Sequence, residues 1–183
     1  MKQKIGNEIA LYPTPLAVVG AMVNGKPNWV LVGHLGIMGH DRIMISLSSA
    51  HYTNQGIWES GVLSVNLVDE DMLAKADYIG CVSGADTDKS EIFSWHPGEG
   101  GAPIAEEAPV SMECRMTDVY KTDGFENFIC TILGTYAKKE VLTGQGKLDY
   151  GMLKPVLFEM PTYEYLKTGE VIGKCMKIGK EGV

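Results

Sequence analysis

Two β-rich runs, Leu16–Val23 and Trp29–Leu35, are joined by Asn24-Gly25-Lys26-Pro27, and Asn-Gly in that place commits the chain to a tight antiparallel hairpin. A third run, Arg42–Leu47, alternates its side chains. The Gly36-Ile37-Met38-Gly39-His40-Asp41 segment before it permits a wide turn and no crossover helix. The three runs read as an antiparallel meander.

Farther along, Thr53 is placed to cap a short helix, Asn54–Ser60, with Ile57 and Trp58 as its buried face and Gly61 as its stop. Val62–Val68 reads as a strand. Asp69 to Asp71 supply an acidic first turn for a helix through Met72, Leu73, Ala76 and Tyr78, which Gly80 breaks. A turn or two of helix is expected over Asp88–Trp95, and a loop over His96–Pro109, where glycine and proline leave no hydrophobic period. Val110–Tyr120 and Asn127–Val141 are strand-like around the turn Lys121-Thr122-Asp123-Gly124. Leu148 to Leu157 form a last hairpin-like section in which Pro155 rules out a central strand, and the segment after Tyr165 is rich in glycine and lysine. Strands outnumber helices, so the expected fold is mainly β with short helical insertions: a closed or partly closed antiparallel β-barrel.

With 183 residues, 45% of them hydrophobic and 21% charged, one domain spanning 1–183 is expected, its core at about 12–158 and a C-terminal tail at 159–183. Sixteen basic residues against 23 acidic give a net charge of −7, and no basic stripe appears, which argues against a nucleic-acid partner. Cys81, Cys114, Cys130 and Cys175 have no C-x-x-C pair or repeated spacing and read as free thiols, Cys81 as a buried structural one in preference to a ligand contact beside the Ser83-Gly84 turn. No run approaches the roughly 20 apolar residues that cross a bilayer. Lys2 and Lys4 before an apolar run imitate a secretory leader, but Pro13, Pro15 and the Asn24-Gly25 turn interrupt it, so a cytoplasmic location is expected.

The chemistry concentrates in Ser46-Leu47-Ser48-Ser49-Ala50-His51-Tyr52-Thr53, which ends a strand and opens a helix with hydroxyls, an imidazole and amides. Helix starts present unpaired N–H groups and the positive end of the macrodipole, so this stretch is suited to a doubly charged anion. Ser83-Gly84 followed by Asp88-Lys89 adds a tight turn and a cation. No predicted strand is followed by G-x-G-x-x-G or by a Walker-type G-x-x-x-x-G-K-[ST]. His34, His40, His51 and His96 lack the pairing that metal sites use, so no metal is expected.

Tyr12-Pro13-Thr14-Pro15, Gly25-Lys26-Pro27-Asn28, the Ser46–Thr53 stretch, Ser64-Val65-Asn66, Asp77-Tyr78, Ser83-Gly84 with Asp88-Lys89, and Met112-Glu113-Cys114 together resemble the flavin reductase-like family, specifically its flavoredoxin branch. The resemblance runs roughly from Tyr12 to Phe158 and implies an FMN-binding split β-barrel that forms a homodimer, with FMN near the subunit interface. Carried over by position, Ser48, His51, Tyr52, Thr53, Ser83 and Lys89 would hold the phosphate and ribityl end. Asn28, Trp29 and Val30 with His34, Leu35 and Gly36 would line the ring, and Ser46 and Leu47 would bridge the two. The function implied is electron transfer through bound FMN, with a redox protein or a nicotinamide donor as partner.

Three positions depart from the family pattern. Many relatives carry tryptophan where this chain has His34 and arginine where it has His51; an imidazole offers one hydrogen bond in place of a charged fork. Relatives that use a nicotinamide donor often carry Gly-Asp-His where this chain has Gly124-Phe125-Glu126, which puts direct NAD(P)H oxidation in doubt. The alternative reading of the residues alone is a non-catalytic β-barrel module that binds another phosphorylated ligand in the same cradle.

Overall fold

A two-residue strand, β1 (Thr14–Pro15), leads into the expected hairpin of β2 (Ala17–Val23) and β3 (Lys26–Val32) in a computed structural model that describes residues 1–180. Asn24 and Gly25 take φ of 51° and 78°, the paired left-handed conformations of a type I′ turn, and Val23 faces Lys26 across it. The remaining elements in chain order are β4 (Leu35–Ile37), β5 (Arg42–Ser48), α1 (Thr53–Ser60), β6 (Val62–Leu67), α2 (Leu73–Cys81), β7 (Trp95–Pro97) and β8 (Pro103–Ala105). They continue with β9 (Val110–Thr122), β10 (Phe125–Ala137), α3 (Tyr150–Leu153), β11 (Leu157–Glu159) and β12 (Glu164–Leu166).

Seven strands form one antiparallel sheet in the order β3-β2-β6-β9-β10-β5-β4. The meander expectation is therefore corrected: β5 does not pair with β3 but lies near the opposite edge, between β10 and β4. Yet only Gly33 and His34 separate the end of β3 from the start of β4, and the His34 carbonyl accepts from Ser46 N at 3.0 Å. Two edges of a seven-stranded sheet joined by two residues must curl toward each other, which makes a split barrel with its seam at His34.

Alternation along the strands sorts the core into two layers. Ala17, Val19 and Ala21 of β2 point inward with Ile43, Ile45, Leu47, Leu63, Val65, Phe128, Cys114 and Cys130. Leu16, Val18 and Trp29 point outward and are covered by Met72, Ala76, Ile79 and Phe93. Strand β2 is thus buried on both faces, which is why Leu16–Val23 reads as a continuous apolar run. Burying each large side chain is worth roughly 1.5–3 kcal/mol, against about 1 kcal/mol for a typical hydrogen bond. The two apolar faces therefore dominate the register of β2.

Several local expectations change in the folded chain. Gly61 stops α1 as read, at φ 69° with its N–H donating to Ile57 O, but Trp58 is 45% exposed because it lies against the edge of Phe128 rather than under it. Gly80 does not end α2; it sits inside the helix, where a Cβ would come within 3.0 Å of Leu31 Cδ2, so its smallness serves packing on β3. Asp88–Trp95 contains no helix, and His96–Pro109 is not wholly a loop, since β7 and β8 pair within it. The Leu148–Leu157 section holds the short helix α3 and leads to the β11–β12 hairpin, which joins β1 in a second sheet. Of the expected tail, residues 181–183 lie outside the described residues. No helix among the described residues is long and apolar enough to cross a membrane.

Candidate functional site

The barrel seam opens into two adjoining cavities, each of about 420 Å³. That volume falls within the range of small-molecule sites. One, at the end of β5, is bounded by Val32, Gly33, His34, Ser46, Leu47 and Ser48 and by the aromatic side chains of Phe125, Phe158, Tyr163 and Tyr165. The other lies between α1, β3 and the turn after α2, and is lined by Asn28, Val30, His51, Tyr52, Thr53, Ser83, Gly84 and Lys89. Leu31, His51, Gly80 and Cys81 border both, so the two spaces meet.

The second cavity is a polar cradle built around Lys89. This lysine is only 4% exposed, and its Nζ donates to Ile79 O at 2.8 Å and Trp29 O at 3.2 Å. An ammonium has three donors, so one remains for a ligand. Burial pushes its pKa down. As a lone reading, a lysine beside Asp86, Asp88 and Glu91 suggests a surface charge, but Asp88 is paired with Lys26 at 2.6 Å and no described carboxylate lies in ion-pair distance of Lys89. The buried cation is therefore balanced by carbonyl dipoles alone.

His51 stands across from it. Burial, and secondarily the Lys89 charge, hold its pKa below the ordinary 6.5, and its Nδ1 is buried with no hydrogen-bond partner among the described residues. An orphaned buried ring nitrogen is costly unless something completes it. Thr53 accepts from Asn28 Nδ2 at 2.7 Å, both residues being buried, and Gly84 lets Asn28 approach, since a Cβ there would lie 2.3 Å from Asn28 Oδ1.

Thr53 is not the helix cap. Tyr52 already has helical φ and ψ, no side chain caps α1, and the amides of His51, Asn54 and Gln55 donate to Ser48, His51 and Tyr52 carbonyls. The entry to the helix is coiled one residue earlier than expected, so those three backbone donors are spent and the anion donors come mainly from side chains.

Eleven of the fourteen residues named from the sequence line one or both cavities: Asn28, Val30, His34, Ser46, Leu47, Ser48, His51, Tyr52, Thr53, Ser83 and Lys89. Trp29, Leu35 and Gly36 do not, and three of the eleven lie at the other end from the one expected: Asn28 and Val30 line the polar cradle rather than the ring cavity, and Ser48 lines the ring cavity rather than the cradle. Neighbours on a strand face opposite ways, so when Asn28 and Val30 reach the cradle, Trp29 turns out to Phe93, edge-on at 5.5 Å; only its carbonyl serves Lys89. Leu35 packs on the barrel interior.

Sequence reasoning missed the aromatic wall of Phe125, Phe158, Tyr163 and Tyr165, together with Met160. Cys81 is exposed and borders both cavities, correcting its reading as a buried thiol. Tyr165 donates to Asp77 Oδ1 at 2.6 Å, which pins the β11–β12 hairpin to α2. Tyr12, whose hydroxyl lies 2.7 Å from His34 Nε2 and donates to Met160 Sδ, ties the seam to the same hairpin. The one available signal was composition: Tyr163, Tyr165 and Phe158 cluster in a segment otherwise rich in turn residues.

A cradle with a buried cation, hydroxyls and an unsatisfied imidazole, opening into a flat apolar and aromatic space, fits a phosphorylated planar ligand. The flavin reductase like domain matches residues 9–161. Flavoredoxin from Methanosarcina acetivorans superposes with a TM-score of 0.93 at 34% identity, over 99% of this chain and 98% of that one. Flavoredoxin of Desulfovibrio vulgaris (Miyazaki F) superposes at 0.90 with 30% identity, over 98% of this chain and 100% of that one. An FMN-binding protein from Thermus thermophilus shares the fold at a TM-score of 0.80 and 18% identity, over 95% of this chain and 100% of that one. No curated protein sequence matches the chain. Domain match, superposition and the geometry of the seam agree, and the chain belongs to the flavin reductase-like family, on its flavoredoxin branch.

Proposed function

We propose that this flavoprotein binds FMN, with the phosphate in the cradle and the ring in the aromatic cavity, and passes electrons through it. The observation that carries this reading is the meeting of the two cavities at His51, with Lys89 and the orphaned His51 Nδ1 at the polar end. Lys89, His51, Thr53 and Ser83 would hold the phosphate, and Val32, Leu47, Phe125 and Phe158 would flank the ring. Bound FMN supplies one- and two-electron redox chemistry, while the chain binds, orients and partly shields it. The buried thiols of Cys114 and Cys130, pushed up to about 12 by burial, take no part.

The working unit is a homodimer in this reading. Supporting it are Ile37, 89% exposed, and Met38, 53% exposed, at the edge strand β4, and Phe125 and Tyr163 at the open rim of the ring cavity. A ring lying there would be left in water by a single copy. The electron source is a redox protein or a nicotinamide donor. Glu126, at the position where nicotinamide-using relatives often carry histidine, faces α1 and lines neither cavity, which favours the protein donor.

The test is an absorption spectrum of purified protein, then titration with FMN and riboflavin, dithionite reduction, and anaerobic addition of NADH or NADPH. The expected result is a flavin spectrum that bleaches with dithionite and recovers in air, with FMN bound more tightly than riboflavin. A colourless protein that fails to bind added FMN overturns the proposal. Light scattering at known mass tests the dimer.

A further inference from the structure

The cradle stretch between Ser48 and Thr53 is clasped from behind by a residue that touches neither cavity. Glu126, near the start of β10, is only 8% exposed, and its Oε2 accepts from Asn54 Nδ2 at 2.9 Å and from Trp58 Nε1 at 3.1 Å. Its Oε1 lies 3.1 Å from Lys121 Nζ. The second hydrogen of the same Asn54 amide donates to Ser48 O at 3.0 Å, while Asn54 Oδ1 has no partner among the described residues. The amide is therefore oriented only by its two donated bonds, one to the end of β5 and one to Glu126. Between those anchors lie His51, Tyr52 and Thr53.

We propose that Glu126 is a positioning residue for the phosphate cradle, acting through Asn54 to set the spacing between the end of β5 and the first turn of α1. This rests on the reading that the cradle takes the FMN phosphate. Burial pushes the Glu126 carboxyl up, but hydrogen bonds from Trp58, Lys121 and Asn54 outweigh that cost and hold it below the ordinary carboxylate range. The group is therefore a carboxylate beside an anion site. By charge alone, its removal would tighten binding of a phosphate. Positioning requires the opposite sign, and the two are separable by experiment.

The experiment titrates full-length protein with FMN and with riboflavin, following flavin fluorescence, in Glu126→Ala, Glu126→Gln, Asn54→Ala and the double alanine variant. Loss of a buried bond to a charged group predicts that Glu126→Ala weakens FMN binding about tenfold or more. Riboflavin, which lacks the phosphate, should change by less than about threefold, because the ring cavity is untouched. Glu126→Gln keeps an acceptor for Asn54 and Trp58 and should restore FMN affinity. Asn54→Ala should show the same phosphate-specific loss, and the double variant should lose no more than the larger single one. If Glu126→Ala does not fold, Asn54→Ala with Glu126→Gln carries the test.

Unchanged or tighter FMN binding in Glu126→Ala, additive losses in the double variant, or equal loss for riboflavin overturns the proposal. So does failure of Glu126→Gln to restore binding. Wild-type protein that does not bind FMN overturns the underlying reading as well, whereas wild-type binding with an indifferent Glu126 overturns only this one.

Discussion

The two halves of the candidate site are assembled in different ways. The cradle draws its charge and hydroxyls from two short stretches, His51–Thr53 and Ser83–Lys89, and its key cation is buried and tied to backbone carbonyls. The ring cavity gathers Gly33, Leu47, Phe125, Phe158 and Tyr165 from far-separated parts of the chain, and its rim is open, with Tyr163 74% exposed. The polar half thus has a rigid frame in which a charge finds fixed partners. The aromatic half depends on a hairpin held by a few contacts, among them Tyr165 to Asp77 and Tyr12 to Met160. Affinity should reside mostly in the first half, and access in the second.

The largest test of that contrast is Lys89→Ala. Removing a buried cation that faces a dianion should weaken FMN about a hundredfold, with riboflavin little affected. The carbonyls of Trp29 and Ile79 lose their donor, so the apoprotein should also lose about 1–3 kcal/mol in denaturant unfolding. Unchanged FMN affinity would remove Lys89 from the site.

A pair of glycine variants sharpens the comparison. In Gly84→Ala the new Cβ would lie 2.3 Å from Asn28 Oδ1, whose amide is held by Thr53, so the cradle must deform. In Gly33→Ala it would lie 2.7 Å from Phe158 Cδ1, so the ring cavity must. Gly84→Ala should cost about tenfold in FMN affinity with riboflavin spared, and Gly33→Ala should weaken both flavins alike. Equal patterns from the two titrations would mean the halves are not separate.

Smaller effects follow at the boundary. Cys81 is exposed and borders both cavities, while Cys114 and Cys130 are buried. A thiol reagent should label Cys81 and Cys175 in the native protein, and FMN should slow labelling at Cys81 alone, read by mass spectrometry of the peptides. Equal rates with and without FMN would place the ligand elsewhere.

The smallest is a proton. The folded pKa of His51 lies below its ordinary 6.5, so the unfolded chain binds the proton first; stability is full above about pH 6.5 and falls as the pH drops toward the folded value. A phosphate beside the imidazole would raise that pKa again. FMN binding near pH 6.5 should therefore take up a fraction of a proton more in wild type than in His51→Ala, measured calorimetrically in buffers of different ionisation heat. No difference would mean that His51 does not face the anion.

Much of this contrast was legible in the residue order. Ser46–Thr53 and Ser83–Lys89 mark a candidate anion site because a run of hydroxyls, an imidazole and a lysine is local chemistry, and all but Trp29, Leu35 and Gly36 of the named residues reach a cavity. The Trp29 side chain faces away from both cavities for a simple reason: a strand turns alternate side chains to opposite faces, so a contiguous trio does not line one wall. The aromatic wall was not legible, since Phe125, Phe158 and Tyr163 become neighbours only when β10 and the β11–β12 hairpin meet at the seam.

By itself the amino-acid order determined the hairpin at Asn24-Gly25, the strand run of β2 and the residue types of the cradle, because turn conformation and strand propensity are properties of neighbouring residues. Tertiary structure alone decided that β5 crosses to the far side of the sheet, between β10 and β4, that Lys89 is buried rather than solvated, and that Glu126 holds Asn54. Those outcomes depend on which distant segments share the low-dielectric interior, and contact across 60 or 72 residues leaves no local pattern to read.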